Sequence, residues 1–286
     1  MMINFVPIFM LFLCRHCYAD TNEHGGSICW PSSEAKSSSA WTENVNTLFT
    51  KLEANVILNN GYYRAEAGEK GPDRVYGLIQ CRGDISKSNC ANCTRESFIL
   101  SANSSACGGA GNKGVLIWQS WCLLRYSNAS FYGTWEKSSL TVYRSNSSSL
   151  GEPAAAAKGR TMLLGLAAAA PGESLMFATG EVDVDGLGGK RYGLGQCTRD
   201  LGKSECRDCL EWLVKAFGTT VSDDRSCQIN GVGCFMLYDN TRFYFNLTAE
   251  EGLGKPAPPK SNASNRGLAG RLSMAITIFM TTMAFL

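Results

Sequence analysis

The order of apolar and polar positions divides the chain into two stretches that predict the same series of elements. In the first, Trp41, Val45, Leu48, Phe49, Leu52 and Val56 fall three and four residues apart, with Ser37 to Ser39 available as caps, which predicts an amphipathic helix. Gly61 to Ala65 reads as a short strand, and after a glycine-rich turn Val75 to Cys81 reads as its hairpin partner. A second helix is predicted from Ser88, as N-cap, to about Ser101, followed by strand-forming runs over Gly114 to Tyr126 and Phe131-Tyr132. The second stretch repeats this. Pro153 to Ala170 is the first helix, with Pro153 suited to a first turn, Leu163, Leu164 and Leu166 as its apolar face and Pro171-Gly172 ending it. Leu175 to Thr179 and Arg191 to Cys197 form the hairpin, Ser204 caps a helix running to about Phe217, and Gly233 to Tyr238 with Arg242 to Asn246 close the unit. Two helices on one face of an antiparallel sheet make an α+β domain of roughly 110 residues, present twice.

The cysteines keep the same register. Cys81, Cys90 and Cys93 spell C-x8-C-x2-C, and Cys197, Cys206 and Cys209 spell it again. Around the phrase, Tyr76, Gly77, Leu78, Gln80, Asp84, Lys87 and Ser88 recur as Tyr192, Gly193, Leu194, Gln196, Asp200, Lys203 and Ser204, at a constant offset of about 116 residues. A period of that length marks a domain repeat and not a solenoid unit. Further on, Cys122-Leu-Leu-Arg-Tyr126 and Phe131-Tyr132 answer Cys234-Phe-Met-Leu-Tyr238 and Phe243-Tyr244. The two domains are placed at 26–144 and 150–249.

The ends carry addresses. Residues 1–19 hold an apolar run from Ile3 to Leu13 and close on Cys17-Tyr18-Ala19, the pattern of a secretory signal peptide cleaved before Asp20. Its removal takes Cys14, His16 and Cys17 away, so that thirteen cysteines less two leave eleven for the mature fold. In an oxidising compartment these are read as disulfides, each adding roughly 2 to 4 kcal/mol by restricting the unfolded chain. The sequons at Asn103, Asn128, Asn146 and Asn246 fit the same route as glycan acceptors; a fifth, at Asn92, sits inside the cysteine phrase. Residues 250–264 form a Pro/Ser-rich linker, and residues 265–286 end in an apolar run, Leu272 to Leu286, of about fifteen residues, where a spanning helix needs roughly 20. Small residues, a polar spacer and a terminal apolar tail predict a lipid-anchor signal with Ser261 or Asn262 as the modified residue.

Charge and chemistry narrow the function by exclusion. A formal net charge of +2 supplies no basic stripe for nucleic acid. With His24 the one histidine left after the leader, the mature chain has no general base for a serine or cysteine triad. Asp223-Asp224 and Glu250-Glu251 read as solvated loop residues, Gly186-Leu-Gly-Gly189 as a hairpin turn, and Cys90-x2-Cys93 and Cys206-x2-Cys209 as halves of disulfides, not zinc or redox sites. No enzyme activity, metal or cofactor is expected. Trp118, Trp121, Tyr126, Phe131 and Trp135 crowd the end of the first domain as packing or as a stacking platform; Trp118 and Trp121 are the binding candidates there.

C-x8-C-x2-C, preceded by Tyr-Gly-Leu-x-Gln and followed by Cys-Leu-Leu-Arg-Tyr, resembles the ginkbilobin-type, or stress-antifungal, cysteine-rich domain of land plants, over about Cys29 to Asn246. A leader, two such domains and a membrane attachment resemble plasmodesmata-located proteins and cysteine-rich repeat secretory proteins, and cysteine-rich receptor-like kinases carry the pair in their ectodomains. The resemblance implies a five-stranded antiparallel sheet with two helices in each domain. It also implies disulfides Cys29–Cys107, Cys81–Cys90 and Cys93–Cys122 in the first domain, and Cys197–Cys206 and Cys209–Cys234 in the second, leaving Cys227 unpaired at the Cys107 position, without its usual upstream partner, as a free thiol or a link to another chain. The mannose-binding set of the family's single-domain member falls here on Trp30, near Leu116 and near Ser127; in the second domain Asp239 alone keeps its role. The resemblance implies a non-enzymatic protein at the extracellular face of the plasma membrane, plasmodesmata included, that recognises a carbohydrate or protein ligand in defence or cell-to-cell communication. A homo- or hetero-dimer is compatible with it, and the alternative is a secreted antifungal, lectin-like effector.

Overall fold

The computed structural model describes residues 21–31, 38–102, 107, 112–144, 153–184, 189–220, 226–248 and 250–253. The leader, Asn103, Asn146, Asp223-Asp224 and the anchor signal with Ser261 and Asn262 lie outside the described residues.

In the first repeat the order is β1 (His24–Pro31), α1 (Ser39–Val56), β2 (Tyr62–Ala67), β3 (Val75–Cys81), α2 (Lys87–Ala102), β4 (Asn112–Gln119) and β5 (Cys122–Ser127). The second repeat comprises β6 (Glu136–Arg144), α3 (Pro153–Ala169), a 3-10 turn (Ala170–Gly172), β7 (Phe177–Asp183), β8 (Lys190–Cys197), α4 (Lys203–Thr220), β9 (Cys227–Val232) and β10 (Cys234–Asp239). Each repeat has one antiparallel sheet of five strands, ordered β1-β4-β5-β3-β2 and β6-β9-β10-β8-β7. Because β6 is laid down before α3 but joins the second sheet, the second unit begins near Trp135, and the boundary expected after residue 144 moves upstream.

Helix α1 forms where the apolar stripe predicts it. The Oγ of Ser38 accepts from Trp41 N at 3.0 Å as N-cap, and Trp41, Leu48, Leu52 and Val56 are buried against the sheet. Each of those aliphatic side chains contributes roughly 1.5 to 3 kcal/mol by leaving water. The cap of α2 is Ser86 and not Ser88, since Ser86 Oγ accepts from Asn89 N at 3.1 Å. In α4 the carbonyl of Gly202 accepts from Cys206 N at 2.9 Å, which places Ser204 inside the first turn. On α3, Leu163 and Leu166 are buried, but Leu164 points to solvent, 44 % exposed.

The recurring Gly77 and Gly193 let these helices lie close to the sheets. A Cβ on Gly77 would come within 2.5 Å of Leu48, and one on Gly193 within 2.6 Å of Met162. Gly233 is the lone residue between β9 and β10, and its φ of 107° is one that glycine tolerates.

Among the described residues there are five disulfides, of which Cys81–Cys90, Cys93–Cys122, Cys197–Cys206 and Cys209–Cys234 join α2 or α4 to strands and Cys29–Cys107 ties β1 to the segment after α2. Cys227 is buried in the helix-side core of the second repeat. In register it pairs with Arg144 and Tyr238, as Val115 pairs with Cys29 and Tyr126. Cys227 therefore stands where the first repeat has Val115, not where it has Cys107.

The repeats meet through reciprocal contacts made by the recurring phrase. Gln80 Nε2 donates to Cys197 O at 2.7 Å and its Oε1 accepts from Arg199 N at 2.7 Å. Gln196 Nε2 donates to Cys81 O at 3.1 Å and its Oε1 accepts from Gly83 N at 3.2 Å. In the same way Asp84 accepts from Phe245 N of the second repeat at 3.0 Å, and Asp200 accepts from Gly133 N of the first at 3.0 Å. These crossings explain why Phe131-Tyr132 and Arg242 to Asn246, expected as strands, are irregular: amides beside the two Phe-Tyr pairs bond to aspartates and not to a ladder. Asp84 also pairs with the buried Arg82 through two bonds of 2.6 and 3.0 Å. Leu253, within the expected linker, is 2 % exposed in the core of the first repeat.

Candidate recognition surface

Strand alternation sets two faces on each sheet. In the first repeat Ile79 and Leu124 face the helices, while Leu78, Leu116, Trp118 and Leu123 form a second cluster with Phe131 and with Val232 of the other repeat. At the β2 margin of that second face the packing turns polar and aromatic. Across the β2–β3 pair, Glu66 lies opposite Tyr76 and Arg64 opposite Leu78. The corner after β5 brings Tyr132 over them. Its hydroxyl donates to Ala65 O at 2.8 Å and accepts from Gly77 N at 3.0 Å, and its ring meets Tyr76 edge-on at 6.1 Å.

Two guanidiniums cover the rings. Arg74 stacks on Tyr76 at 5.4 Å and is ion-paired with Glu66. Arg64, an exposed side chain, lies 5.0 Å from the centre of the Tyr132 ring. Arg64, Ala65, Glu66 and Tyr132 line a pocket of about 160 Å³. Burial pushes the Tyr132 phenol up to about 12, with its bond from Gly77 opposing, so the ring stays neutral in this setting. The hydrogen bond to Glu66 raises Arg74 above the usual arginine value. The pocket thus combines an aromatic wall, a carboxylate acceptor and guanidinium donors.

The second repeat rebuilds the shelf with both cations exchanged. Tyr192 meets Tyr244 edge-on at 6.0 Å, Glu181 lies opposite Tyr192, and Lys190 pairs with Glu181 as Arg74 does with Glu66. Thr179 lies opposite Leu194, the register position of Arg64. The cation over the ring is instead Arg242, 4.9 Å from the Tyr244 centroid, and its Nη2 donates to Asn246 Oδ1 at 2.5 Å.

The residues singled out from sequence lie elsewhere. Trp118 is 1 % exposed in the second-face cluster, and Trp121, in the turn after β4, is 9 % exposed on the helix side. Both are packed, so neither offers a stacking face. Asp239 accepts from Ser226 Oγ at 2.5 Å and from Thr241 N and Oγ1 at 2.7 and 2.6 Å, which commits it to its own turn. Of the positions matching the mannose set, Leu116 is fully buried, Trp30 is half-buried under Arg125 and Ser127 is half-buried at the end of β5. The acceptor residues Asn92, Asn128 and Asn246 are exposed. Sequence reasoning did not find Arg64, Glu66 or Arg74; the recurrence of Tyr76 with Tyr192, and of Phe131-Tyr132 with Phe243-Tyr244, was the available signal. Among the described residues no cluster of His, Cys, Asp and Glu could hold a metal ion, and no helix is long and apolar enough to cross a membrane.

Two disulfide-bonded α+β repeats, joined through their phrase glutamines and aspartates, define a tandem cysteine-rich ectodomain fold. The chain belongs to the salt stress response/antifungal family, whose profile matches residues 28–129 and 142–241. It is 30 % identical over 237 residues to an antimicrobial ginkbilobin-2-like protein of Castanea crenata, covering 82 % of this chain and 94 % of that one. It is 29 % identical over 206 residues to cysteine-rich repeat secretory protein 38 of Arabidopsis thaliana, covering 71 % and 78 %. The tandem DUF26 ectodomain of the Arabidopsis thaliana cysteine-rich receptor-like protein PDLP8 superposes with a TM-score of 0.62 at 22 % identity, over 77 % of this chain and 99 % of that one. That likeness extends to the fold.

Proposed function

We propose that this is a non-enzymatic recognition protein of the plant extracellular space, held at the cell surface by its C-terminal signal, that binds a carbohydrate or protein ligand in defence or cell-to-cell communication. The observation that carries this reading is the shelf of Tyr76, Tyr132, Arg64, Arg74 and Glu66. It is a half-exposed aromatic and ionic surface held in place by the β2–β3 pair and by the Tyr132 hydroxyl, and not consumed by the contact between repeats. Aromatic faces flanked by paired donors and acceptors suit sugar rings and tyrosine- or arginine-rich protein partners. The test is to screen the secreted, glycosylated full chain against a glycan array and a wall extract, alongside Tyr76→Ala and Arg74→Gln. Ligand capture that weakens in both variants supports the reading, and capture indifferent to both overturns it. Release of the protein from membranes by a phosphatidylinositol-specific phospholipase tests the anchor separately; retention after treatment rejects it.

A second reading, a secreted antimicrobial effector, is favoured by the likeness to the Castanea crenata protein over 94 % of that protein's length. It requires growth inhibition of fungi by the purified chain and its presence in wall fluid without phospholipase treatment.

A further inference from the structure

The two shelves differ in what their exposed cation is doing, and that difference points to a ligand class. In the second repeat Arg242 is already engaged, donating to Asn246 Oδ1, and Thr179 occupies the β7 position. In the first repeat the Arg64 side chain stacks on Tyr132 and forms no ion pair or hydrogen bond among the described residues, so its planar fork of donors faces solvent beside the pocket. A guanidinium stacked on a ring has lost part of its rotamer freedom before any ligand arrives, which favours two parallel bonds to a carboxylate.

The rest of the pocket asks for hydroxyls. Glu66 spends one side of its carboxylate on Arg74 and keeps further lone pairs for O–H donors, and Arg74 is held by the same pair. A volume of about 160 Å³ between Arg64, Ala65, Glu66 and Tyr132 suits one ring and not a folded peptide segment. A phosphate monoester, with close to two negative charges, would meet the Glu66 carboxylate at short range. A single carboxylate on a hydroxyl-rich ring meets both demands at lower electrostatic cost.

We infer that the first-repeat shelf binds acidic saccharides, specifically uronic-acid rings, with Arg64 holding the sugar carboxylate and the Glu66–Arg74 pair holding vicinal hydroxyls. This rests on the recognition reading above and adds the ligand class and the residue that selects it.

The test is calorimetric titration of the secreted full chain, in a chelating buffer to remove calcium bridging, with three probes. These are oligomers of galacturonic acid, the corresponding neutral galactose oligomers and a sulfated galactan. The acidic oligomer should bind, with affinity that falls as salt rises, and the neutral oligomer should bind at least about tenfold more weakly. Arg64→Gln should lose about tenfold for the acidic probe, Arg64→Lys should lose less, and Arg242→Gln should leave it unchanged. Both side chains are at the surface, so thermal melts of the three variants should overlay with the parent. Absence of binding to the acidic oligomer, equal affinity for the sulfated galactan, or an Arg64→Gln titration matching the parent overturns the inference. A neutral sugar bound and lost in Arg74→Gln would overturn the acidic class while leaving the shelf as the recognition site. Any ligand indifferent to every shelf variant overturns both.

Discussion

The two repeats share their disulfide phrase and their contact with each other, and they diverge where nothing in the fold requires likeness. Gln80 and Gln196 make the same four-bond exchange, and Asp84 and Asp200 each receive an amide from the opposite repeat. Yet Cys29–Cys107 has no described counterpart among the disulfides of the second repeat, and Arg64 is answered by Thr179. The glutamines and aspartates of the junction thus recur, as do the tyrosines of the two shelves, while the cation over each shelf is specific to its repeat, Arg64 in the first and Arg242 in the second.

The widest split between equivalent positions should come at the aspartates. Asp84 is buried and forms a bidentate pair with Arg82, itself 2 % exposed, while Asp200 has Thr198 at the position of Arg82 and is half-buried. Asp84→Ala leaves a buried guanidinium uncompensated and should cost about 3 to 5 kcal/mol. Asp200→Ala loses one charge-assisted bond and should cost about 1 to 2 kcal/mol. Urea unfolding of both variants at equal slope measures the difference; equal losses would show that the Arg82 pair adds nothing to the junction.

Next in size is the glutamine exchange. Each glutamine is buried and supplies one donor and one acceptor to the other repeat, so Gln80→Ala or Gln196→Ala strands a carbonyl and an amide and should cost about 2 kcal/mol. The exchange is reciprocal, and the second loss should be smaller once the first has loosened the seam. A double-mutant cycle by urea unfolding gives the coupling; strict additivity would mean that the two bonds act independently.

Cys227 tests the equivalence in the other direction. Since it stands in the register of Val115 and packs in the helix-side core, Cys227→Val should shift stability by less than about 1.5 kcal/mol and leave the mass of the particle unchanged in non-reducing gel filtration. A large loss, or a dimer that disappears in the variant, would show that the cysteine does more than fill that valine site.

Much of this architecture was legible before the structure. The phrase, the helix stripes and the hairpins depend on residues near one another in sequence, and they fell where the periodicity placed them. What escaped were the central strand β9 and the two edge strands β1 and β6, the latter because an edge strand pairs on one side and accepts a sequence such as His24 to Pro31, with two glycines and a proline, that carries no alternation. The shelf escaped because its parts come from β2, from the turn before β3 and from the corner after β5, which a sheet pairing brings together and no local pattern announces. Trp118 and Trp121 drew attention by size, but the largest apolar side chains were wanted in the core.

The smallest expected effect separates the tyrosines that close the two shelves. Tyr132 Oη bonds to Ala65 O and Gly77 N, pinning the corner to the β2–β3 pair, while Tyr244 is placed by ring contacts with Tyr192 and Phe243 and by Arg242. Tyr132→Phe should cost about 1 kcal/mol and Tyr244→Phe close to none. The pH dependence should follow the same contrast. Burial lifts the folded-state phenol of Tyr132 to about 12, above its unfolded value, so the neutral form is favoured by folding. That contribution is complete below about pH 10 and is lost as the pH rises from there towards 12. Melting curves across this range should therefore fall less steeply for Tyr132→Phe than for the parent chain. An unchanged slope would mean that the corner opens before the phenol ionises, and that the first-repeat shelf is held by its ion pair and not by its hydroxyl.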